Sequence, residues 1–272
     1  MNSELHALII WEKSRGKTDE ILDDLRANFN LLQVYDIKWD SEHFSQNLTR
    51  FYGTNLPSGS FKEVHTGTGP FLFIVLKDLE PKYDFRETTK GKKSVNVNIF
   101  DAKQKYRSWI PESYPIHASD TQKETEHDLT LLLGKNLEDF EKHSSDNWDE
   151  KIISINSNLI GSDGWDDLDQ IFYVLNATTN YVVLRNYEEL VETKNILIDD
   201  IDLFSESIED LEFIINPKKI KGKEKFYYHA KVGSDEIIFD FQHVSDNHYD
   251  KQWSKDILSR RIFYKNKFYV PN

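Results

Sequence analysis

Apolar runs alternate with amphipathic stretches through the first half of the chain, and this alternation restricts its possible folds more than any other feature. The pattern predicts, in chain order, a strand at 5–11, a helix at 17–28, a strand at 31–38, a helix at 41–51, a strand at 70–77 and, after a basic segment, a helix at 121–133. This β-α-β-β-α-β-like order favours an α+β fold. It is typical of a ferredoxin-like sandwich with helices on one face of an antiparallel sheet.

The chain is long enough for two domains. It has 272 residues, and 13% of them are aromatic, which argues against disorder. Residues 135–165 change character, because polar stretches and glycines interrupt any periodicity around one short strand at 151–155. We therefore expect a first domain at 1–140, a linker at 141–168 and a second domain at 169–272.

Composition excludes several classes of protein. Cysteine is absent, so neither a disulfide framework nor a thiolate metal site can form. The sequence contains no apolar run of about 18 residues and no signal-peptide pattern, which predicts a cytoplasmic protein without membrane insertion. The formal net charge of −13 counts against general binding to nucleic acid. An oligomer remains possible.

A histidine lies directly before a helix start in the middle of the chain. Thr121 and Glu124 form a capping-box pattern, and His117 precedes it by four residues. Backbone N–H groups at a helix N-terminus attract anions and disfavour a positive charge, so a histidine beside them stays neutral. A neutral imidazole has a ring nitrogen that can attack a phosphorus centre. The alternative is a surface histidine in a loop that happens to precede a helix.

Four blocks of the first half follow one another in a recognisable order. They are His6-Ala-Leu-Ile-Ile-Trp-Glu-Lys13, Tyr52 after an amphipathic stretch, Gly69-Pro70 with the strand to Lys77, and Ile116-His117-Ala118-Ser119-Asp120. Their order and approximate spacing, over residues 5 to about 140, resemble the nucleoside diphosphate kinase family, with Asp128 where that family has a glutamate. The resemblance implies that His117 is a nucleophile or phosphate ligand. It also implies that Lys13, Tyr52 and Ser119 belong to the nucleotide site.

One segment is basic against the acidic background. Between Arg86 and Arg107 there are seven cations and two acids, and the alternation at 94–99 predicts a strand or extended loop. Such a run is most often a solvated face. The resembled family, however, takes its phosphate-binding arginines from this interval. We therefore predict that Arg86 and Arg107 bind phosphate, since a planar guanidinium fork matches phosphate oxygens.

The second half carries a pattern of carboxylates. Residues two apart in a strand point to the same side, so Asp200 and Asp202 are expected to project together. With Asp240 from a neighbouring strand they would form an oxygen cage for Mg²⁺, which would neutralise a triphosphate and align the attacking group. The alternative is an acidic edge strand kept from aggregating by its charges.

Asp200-Ile-Asp202, Asp240 and the upstream Leu184-Arg185-Asn186 resemble the nucleotidyltransferase superfamily. More narrowly, they resemble a group associated with bacterial surface-polysaccharide genes. The resemblance implies a nucleotidyltransferase-like α/β domain in which the three aspartates are catalytic metal ligands. Arg185 and Asn186 take the place of the usual triphosphate-contacting Gly-Ser.

Three hypotheses from different classes follow from these patterns. The first is a transferase that moves a phosphoryl or nucleotidyl group from a nucleotide to a small acceptor, with surface-polysaccharide biosynthesis as the setting that the second resemblance implies. The second is a catalytically inactive module that binds or senses a nucleotide. The third is a toxin-like nucleotidyltransferase that modifies a macromolecule. The transferase hypothesis predicts that the variants His117→Ala and Asp202→Ala each lose an activity and keep their fold.

Overall fold

The computed structural model describes residues 3–89, 91–110, 116–192, 200–222, 226–246 and 249–272. The chain divides into two compact units. The first consists of Met1–Thr49 and Leu56–Leu159, and the second of Arg50–Asn55 and Ile160–Asn272. The boundary near residue 160 lies inside the segment predicted to be a linker. Helices and strands are mixed throughout, which confirms the predicted α+β class.

The elements up to residue 159 are, in chain order, β1 (Glu4–Ile10), a 3₁₀ helix (Glu12–Lys17), α1 (Thr18–Asn28), β2 (Asn30–Lys38), α2 (Phe44–Tyr52), α3 (Phe61–Thr66), β3 (Phe71–Asp78), β4 (Tyr83–Thr88), β5 (Gly91–Asn96), α4 (Val97–Ser108), β6 (Ile116–Ala118), α5 (Gln122–Leu133), α6 (Leu137–His143) and β7 (Ile152–Asn156).

Five strands form the sheet of the first unit, in the order β6-β1-β3-β2-β7. Neighbouring strands are antiparallel from β6 through β1 and β3 to β2. Strand β7 pairs with the other edge of β2 and is parallel to it. Strands β1 and β2 are therefore parallel to each other with β3 between them. The four strands from β6 to β2 thus form an antiparallel sheet, as the sequence predicted.

Helices cover both faces of this sheet, whereas the sequence predicted helices on one face. Ile116 and Ala118 of β6 join an apolar cluster with residues of α1 and α4. His117, between them, points to the opposite face and contacts Asp128 of α5. Strand β3 is buried continuously over 71–76. Such a run is typical of a strand that is covered on both faces.

The helix α4 replaces the extended structure that the sequence predicted over 94–99. Strand β5 ends at Asn96, whose side-chain oxygen accepts hydrogen bonds from the backbone N–H groups of Asn98 (3.0 Å) and Ile99 (3.3 Å). This N-cap begins a helix that buries Ile99 and Tyr106. The strand prediction therefore holds only up to the cap.

The helix predicted at 121–133 is confirmed as α5. The hydroxyl of Thr121 accepts a hydrogen bond from the backbone N–H of Glu124 at 3.2 Å, as the capping-box pattern predicts. The carboxylate of Glu124 accepts from the backbone N–H of Asp120 at 2.7 Å, one residue before the position that the pattern predicts. The short strand predicted at 151–155 is also confirmed, as β7.

The elements of the rest of the chain are α7 (Leu168–Thr178), β8 (Tyr181–Val183), α8 (Tyr187–Glu192), β9 (Ile201–Ser205), α9 (Ile208–Ile215), β10 (Lys218–Lys219), β11 (Tyr227–Val232), β12 (Asp235–His243), α10 (Lys251–Ser259), β13 (Ile262–Tyr264) and β14 (Phe268–Val270).

The sheet of the second unit has the order β10-β11-β12-β9-β8. Strands β12 and β9 are parallel, and the other neighbours are antiparallel. Residues 196–199, which the sequence placed in the strand before Asp202, lie outside the described residues. Strand β9 begins at Ile201, so Asp200 stands just before it. All five residues of β9 are buried.

A buried arginine is held inside the second unit. The guanidinium of Arg50 donates to the carbonyl oxygens of Ile160 (2.6 Å), Phe213 (2.9 Å) and Ile214 (2.9 Å). It also donates to the hydroxyl of Ser162 at 2.7 Å. Burial lowers the pKa of Arg50 to about 9.

Among the residues that the structure describes, none of the helices combines the length and the apolar character needed to cross a membrane.

Candidate functional site

His117 lies in the short strand β6, directly before the helix start that the sequence predicted. Strand β6 pairs with β1, and His117 stands opposite Ile9. Alternation along β6 buries Ile116 and Ala118 and turns the imidazole toward α5. The imidazole therefore contacts a side chain in the middle of α5.

The partner of His117 is the buried carboxylate of Asp128. Nε2 of His117 lies 2.8 Å from Oδ2 of Asp128, and Nδ1 of His127 lies 3.1 Å from Oδ1 of the same carboxylate. The side chain of Asp128 is 4% exposed, and that of His117 is 21% exposed. Solvent therefore reaches the imidazole, while the carboxylate behind it is protected. A carboxylate in this position holds the ring in the tautomer with its proton on Nε2 and its lone pair on Nδ1.

The electrostatics of this pair favour an ionised carboxylate. Burial of Asp128 opposes ionisation, but the charges and hydrogen bonds of His117 and His127 outweigh it, so the pKa of Asp128 is lowered. A buried negative charge behind an imidazole stabilises the imidazolium that forms when the other nitrogen becomes bonded.

A cationic side chain binds this strand, and a second cation lies within its electrostatic range. Nε and Nη2 of Arg107, at the end of α4, donate to the carbonyl oxygen of Ile116 at 3.1 and 2.9 Å, directly before His117. The ammonium group of Lys62, on α3, interacts electrostatically with the guanidinium of Arg107. Burial and, after it, this positive charge lower the pKa of Lys62 to about 8. Cations held close together favour an anionic ligand, because its charge relieves their repulsion.

The helix that carries Lys62 also carries an exposed aromatic ring. Phe61 is 75% exposed, and its ring centroid lies 3.6 Å from that of His65, one turn further along α3. The hydroxyl of Ser60 accepts from the backbone N–H of Glu63 at 3.4 Å and so caps the helix. An exposed ring on a capped helix is a surface on which a base can stack.

Lys13 lies in the 3₁₀ helix after β1 and is exposed. Its neighbour Glu12 accepts a hydrogen bond from the backbone N–H of Gly69 at 2.7 Å, which fixes the 3₁₀ helix beside the turn after α3. Gly67 in this turn has φ of +76°, and an added Cβ would lie 2.2 Å from the carboxylate of Glu12. The turn therefore requires glycine.

Two other predicted nucleotide-binding residues lie on separate elements. Tyr52 ends α2, and its ring meets that of Phe51 edge-on at 5.2 Å. Arg86 lies in the β4–β5 hairpin, where its guanidinium is 2.7 Å from the carboxylate of Asp84 and 3.8 Å from that of Asp101. Asp84 of the hairpin and Asp101 of α4 thus already pair with Arg86.

Ser119, which the resemblance placed in the nucleotide site, is fully buried. Its hydroxyl accepts from the backbone N–H of Ala7 at 2.9 Å and lies 2.8 Å from the hydroxyl of Thr125. These bonds join β6 to β1 and α5. The structure therefore gives Ser119 a role in holding the strand of His117 in place.

In the second unit, the carboxylate of Asp202 is bound by an arginine. Nε and Nη2 of Arg185 donate to Oδ2 and Oδ1 of Asp202 at 2.6 and 2.9 Å. Asp202 is buried, whereas the side chain of Arg185 is 61% exposed. The backbone N–H of Leu184 donates to the carbonyl oxygen of Asp202, and Asn186 has φ of +55°, so the chain turns away at Arg185.

Asp240 stands directly opposite Asp202 on the parallel strands β12 and β9. Burial of Asp240, together with the negative charges of Asp202 and Asp200, raises its pKa. The bond to Asp202 raises the pKa of Arg185. The three aspartates and Arg185 thus share one electrostatic environment.

This arrangement does not match the predicted Mg²⁺ cage. Within the described ranges, no group of three histidine, cysteine, aspartate or glutamate side chains is placed to hold a metal ion. Asp200 precedes β9, and both oxygens of Asp202 accept hydrogen bonds from Arg185. Mg²⁺ requires oxygen ligands at about 2.1 Å in near-octahedral geometry, whereas the two oxygens of Asp202 are bound here by a guanidinium.

The sequence indicated several of these residues but missed others. His117, Arg107 and Asp202 were predicted to act, and the structure gives each of them a specific polar partner. Lys62 and His127 were not predicted. An isolated lysine on a six-residue helix has no sequence pattern of its own, and its lowered pKa comes from burial and from the charge of Arg107.

Comparisons with known proteins add little to this geometry. Neither a protein-family model nor a curated protein matches the sequence. Among solved structures, an orthorhombic crystal form of the nucleoside diphosphate kinase of Aquifex aeolicus is similar to part of the chain. The alignment covers 47% of this chain and 93% of that chain, with 15% sequence identity and a TM-score of 0.31. At these values the similarity carries no weight for function.

Proposed function

We propose that the first unit transfers phosphoryl groups from a nucleotide through a phosphohistidine at His117. The observation that carries this proposal is the contact between Nε2 of His117 and the buried carboxylate of Asp128 at 2.8 Å. It combines a reachable imidazole with a protected negative charge, which is the arrangement that an activated nitrogen nucleophile needs.

In the proposed reaction, the lone pair on Nδ1 of His117 attacks the terminal phosphorus of a nucleoside triphosphate. The bond between that phosphorus and the bridging oxygen breaks, and the nucleoside diphosphate leaves. The proton on Nε2 stays in place, and Asp128 stabilises the positive charge of the phosphorylated ring. An oxygen of a small acceptor then attacks the same phosphorus and regenerates the imidazole.

The nucleotide is proposed to bind along α3 and the end of α4. Lys62 and Arg107 would neutralise its phosphate oxygens, and the exposed ring of Phe61 would stack on the base. Lys13 is a further cation near α3. The hydrogen bond between Glu12 and Gly69 holds the 3₁₀ helix that carries Lys13 beside the turn after α3. The nucleotide would bring Mg²⁺ with it, bound to its β- and γ-phosphate oxygens.

Incubation of the protein with ATP labelled at the γ position, in the presence of Mg²⁺, tests the proposal. We expect label on the protein that is stable in alkali and lost in acid, as a phosphorus–nitrogen bond requires. The variant His117→Ala should remain unlabelled. His127→Ala is the matched control, because His127 contacts the same carboxylate, and this variant should still be labelled. Equal labelling of both variants would reject His117 as the nucleophile.

The same experiment with ATP labelled at the α position separates this proposal from its alternatives. Transfer of α label that disappears in Asp202→Asn would indicate nucleotidyl transfer by the second unit. Saturable nucleotide binding without transfer of either label would indicate a binding or sensing module. Label on a macromolecular acceptor would favour the toxin-like hypothesis.

A further inference from the structure

We infer that Arg185 is the resident cation of the carboxylate cluster formed by Asp200, Asp202 and Asp240 in the second unit. The negative charge of this cluster is then neutralised by the guanidinium and not by a divalent metal ion. The inference comes from the mismatch between the predicted Mg²⁺ cage and the observed pairing of Arg185 with Asp202. It is independent of the chemistry proposed for His117.

The pairing is specific in its geometry. Two guanidinium nitrogens meet the two oxygens of one carboxylate, at 2.6 and 2.9 Å. This bidentate arrangement is among the strongest hydrogen-bonded ion pairs, and it uses the oxygens that a metal would need. The carboxylate of Asp202 is buried away from water, whereas the mostly exposed Arg185 could otherwise be solvated. The ion pair therefore compensates the buried negative charge of Asp202.

The backbone places the cation where it is needed. The bond from the backbone N–H of Leu184 to the carbonyl oxygen of Asp202, at 3.0 Å, holds Arg185 at the end of β8 beside the aspartate. Asp240 lies opposite Asp202 on the adjacent strand, so one guanidinium lies within the field of both carboxylates. A divalent metal ion at the same oxygens would be repelled by the positive charge of Arg185.

Binding of Mn²⁺ to the full chain, followed by electron paramagnetic resonance, tests this inference together with thermal melting in Mg²⁺ and in EDTA. For the wild-type protein we expect no saturable Mn²⁺ site at about 1 mM metal, a concentration at which a dedicated protein site is filled. We also expect the same melting temperature in Mg²⁺ and in EDTA. One tightly bound Mn²⁺ that is lost in Asp202→Asn would overturn the inference.

The variant Arg185→Gln removes the resident cation. Without metal its melting temperature should fall by roughly 5–10 °C, because a buried carboxylate loses its partner. Millimolar Mg²⁺ should restore part of this loss, because the exposed oxygens then accept a metal. The matched control is Arg260→Gln, at an exposed arginine at the end of α10, which should melt like the wild type in both conditions.

The remaining outcomes are equally decisive. If Arg185→Gln responds to Mg²⁺ no more than Arg260→Gln does, Arg185 is not in the place of a metal and the inference fails. If Arg185→Gln does not fold, the Mn²⁺ titration of the wild type and of Asp202→Asn still decides the question. The double variant Arg185→Gln with Asp202→Asn should show no response to Mg²⁺.

Discussion

Replacing Asp128 by asparagine tests how the carboxylate activates His117. The substitution keeps the size of the side chain and removes its charge. Asp128 accepts hydrogen bonds from both His117 and His127. An amide offers one acceptor and one donor, so it cannot accept from both rings through separate oxygens. If its NH₂ faces His117, the proton must move to Nδ1, and the proposed nucleophile loses its lone pair.

The size of the effect follows from the hydrogen bond that is weakened. A hydrogen bond to a charged group contributes about 1.5–3 kcal/mol, whereas a neutral one contributes about 1 kcal/mol. The phosphorylated ring is a cation and depends on the charge of Asp128 more than the free ring does. The expected loss of transition-state stabilisation is the difference between the two hydrogen-bond contributions, about 0.5–2 kcal/mol, which is a rate roughly 2–30-fold lower.

The assay is the initial rate of phosphohistidine formation from γ-labelled ATP, measured beside the dissociation constant for ADP. Asp128→Asn should slow labelling and leave ADP binding nearly unchanged, because Asp128 is buried behind the imidazole. Glu126→Gln is the matched control, since it removes a carboxylate from the same helix. A rate for Asp128→Asn equal to that of Glu126→Gln would refute the proposed role of the carboxylate.

Four further results are expected. The pKa of Lys62 is about 8, so its contribution to nucleotide affinity should be present below pH 8 and lost as the pH rises above it. Lys62→Arg should abolish this pH dependence in a calorimetric titration, because arginine stays charged. Phe61→Ala should weaken nucleotide binding without lowering the melting temperature, because the ring is exposed. Ser119→Ala should lower the free energy of unfolding in urea by about 1–3 kcal/mol and leave nucleotide affinity unchanged, since its hydroxyl bonds are internal. Arg50→Met should cost about 3–5 kcal/mol in the same urea assay, because it leaves several buried acceptors without a donor.

Much of the first sheet could be predicted from local patterns. The apolar runs before Trp11 and after Pro70 form the adjacent strands β1 and β3, and the Thr121 cap begins α5 as expected. The helix α4 was missed, because the alternation over 94–99 predicted an extended segment, whereas the strand ends at Asn96 and the cap there depends on the side-chain conformation. The placement of helices on both faces depends on tertiary packing, which short-range periodicity does not encode.

The candidate site was predicted only in part, for related reasons. His117 was identified from its position before a capping box, yet the group that acts on it is Asp128, two turns into α5 on the opposite face of β6. The pKa of Lys62 is lowered first by burial and then by the charge of Arg107, a residue 45 positions away in the chain. In the second unit, the aspartate pattern predicted a metal cage, but the adjacent Arg185 folds back onto Asp202. Sequence spacing identifies such charges without showing which ones pair.

The most direct test of the central claim is the position of the phosphoryl group on the imidazole of His117, read by ³¹P nuclear magnetic resonance and by mass spectrometry of the labelled peptide. Because Asp128 holds the proton on Nε2, we predict that the phosphorus is bonded to Nδ1. Phosphorus on Nε2, or on any residue other than His117, would contradict the proposed phosphotransfer mechanism.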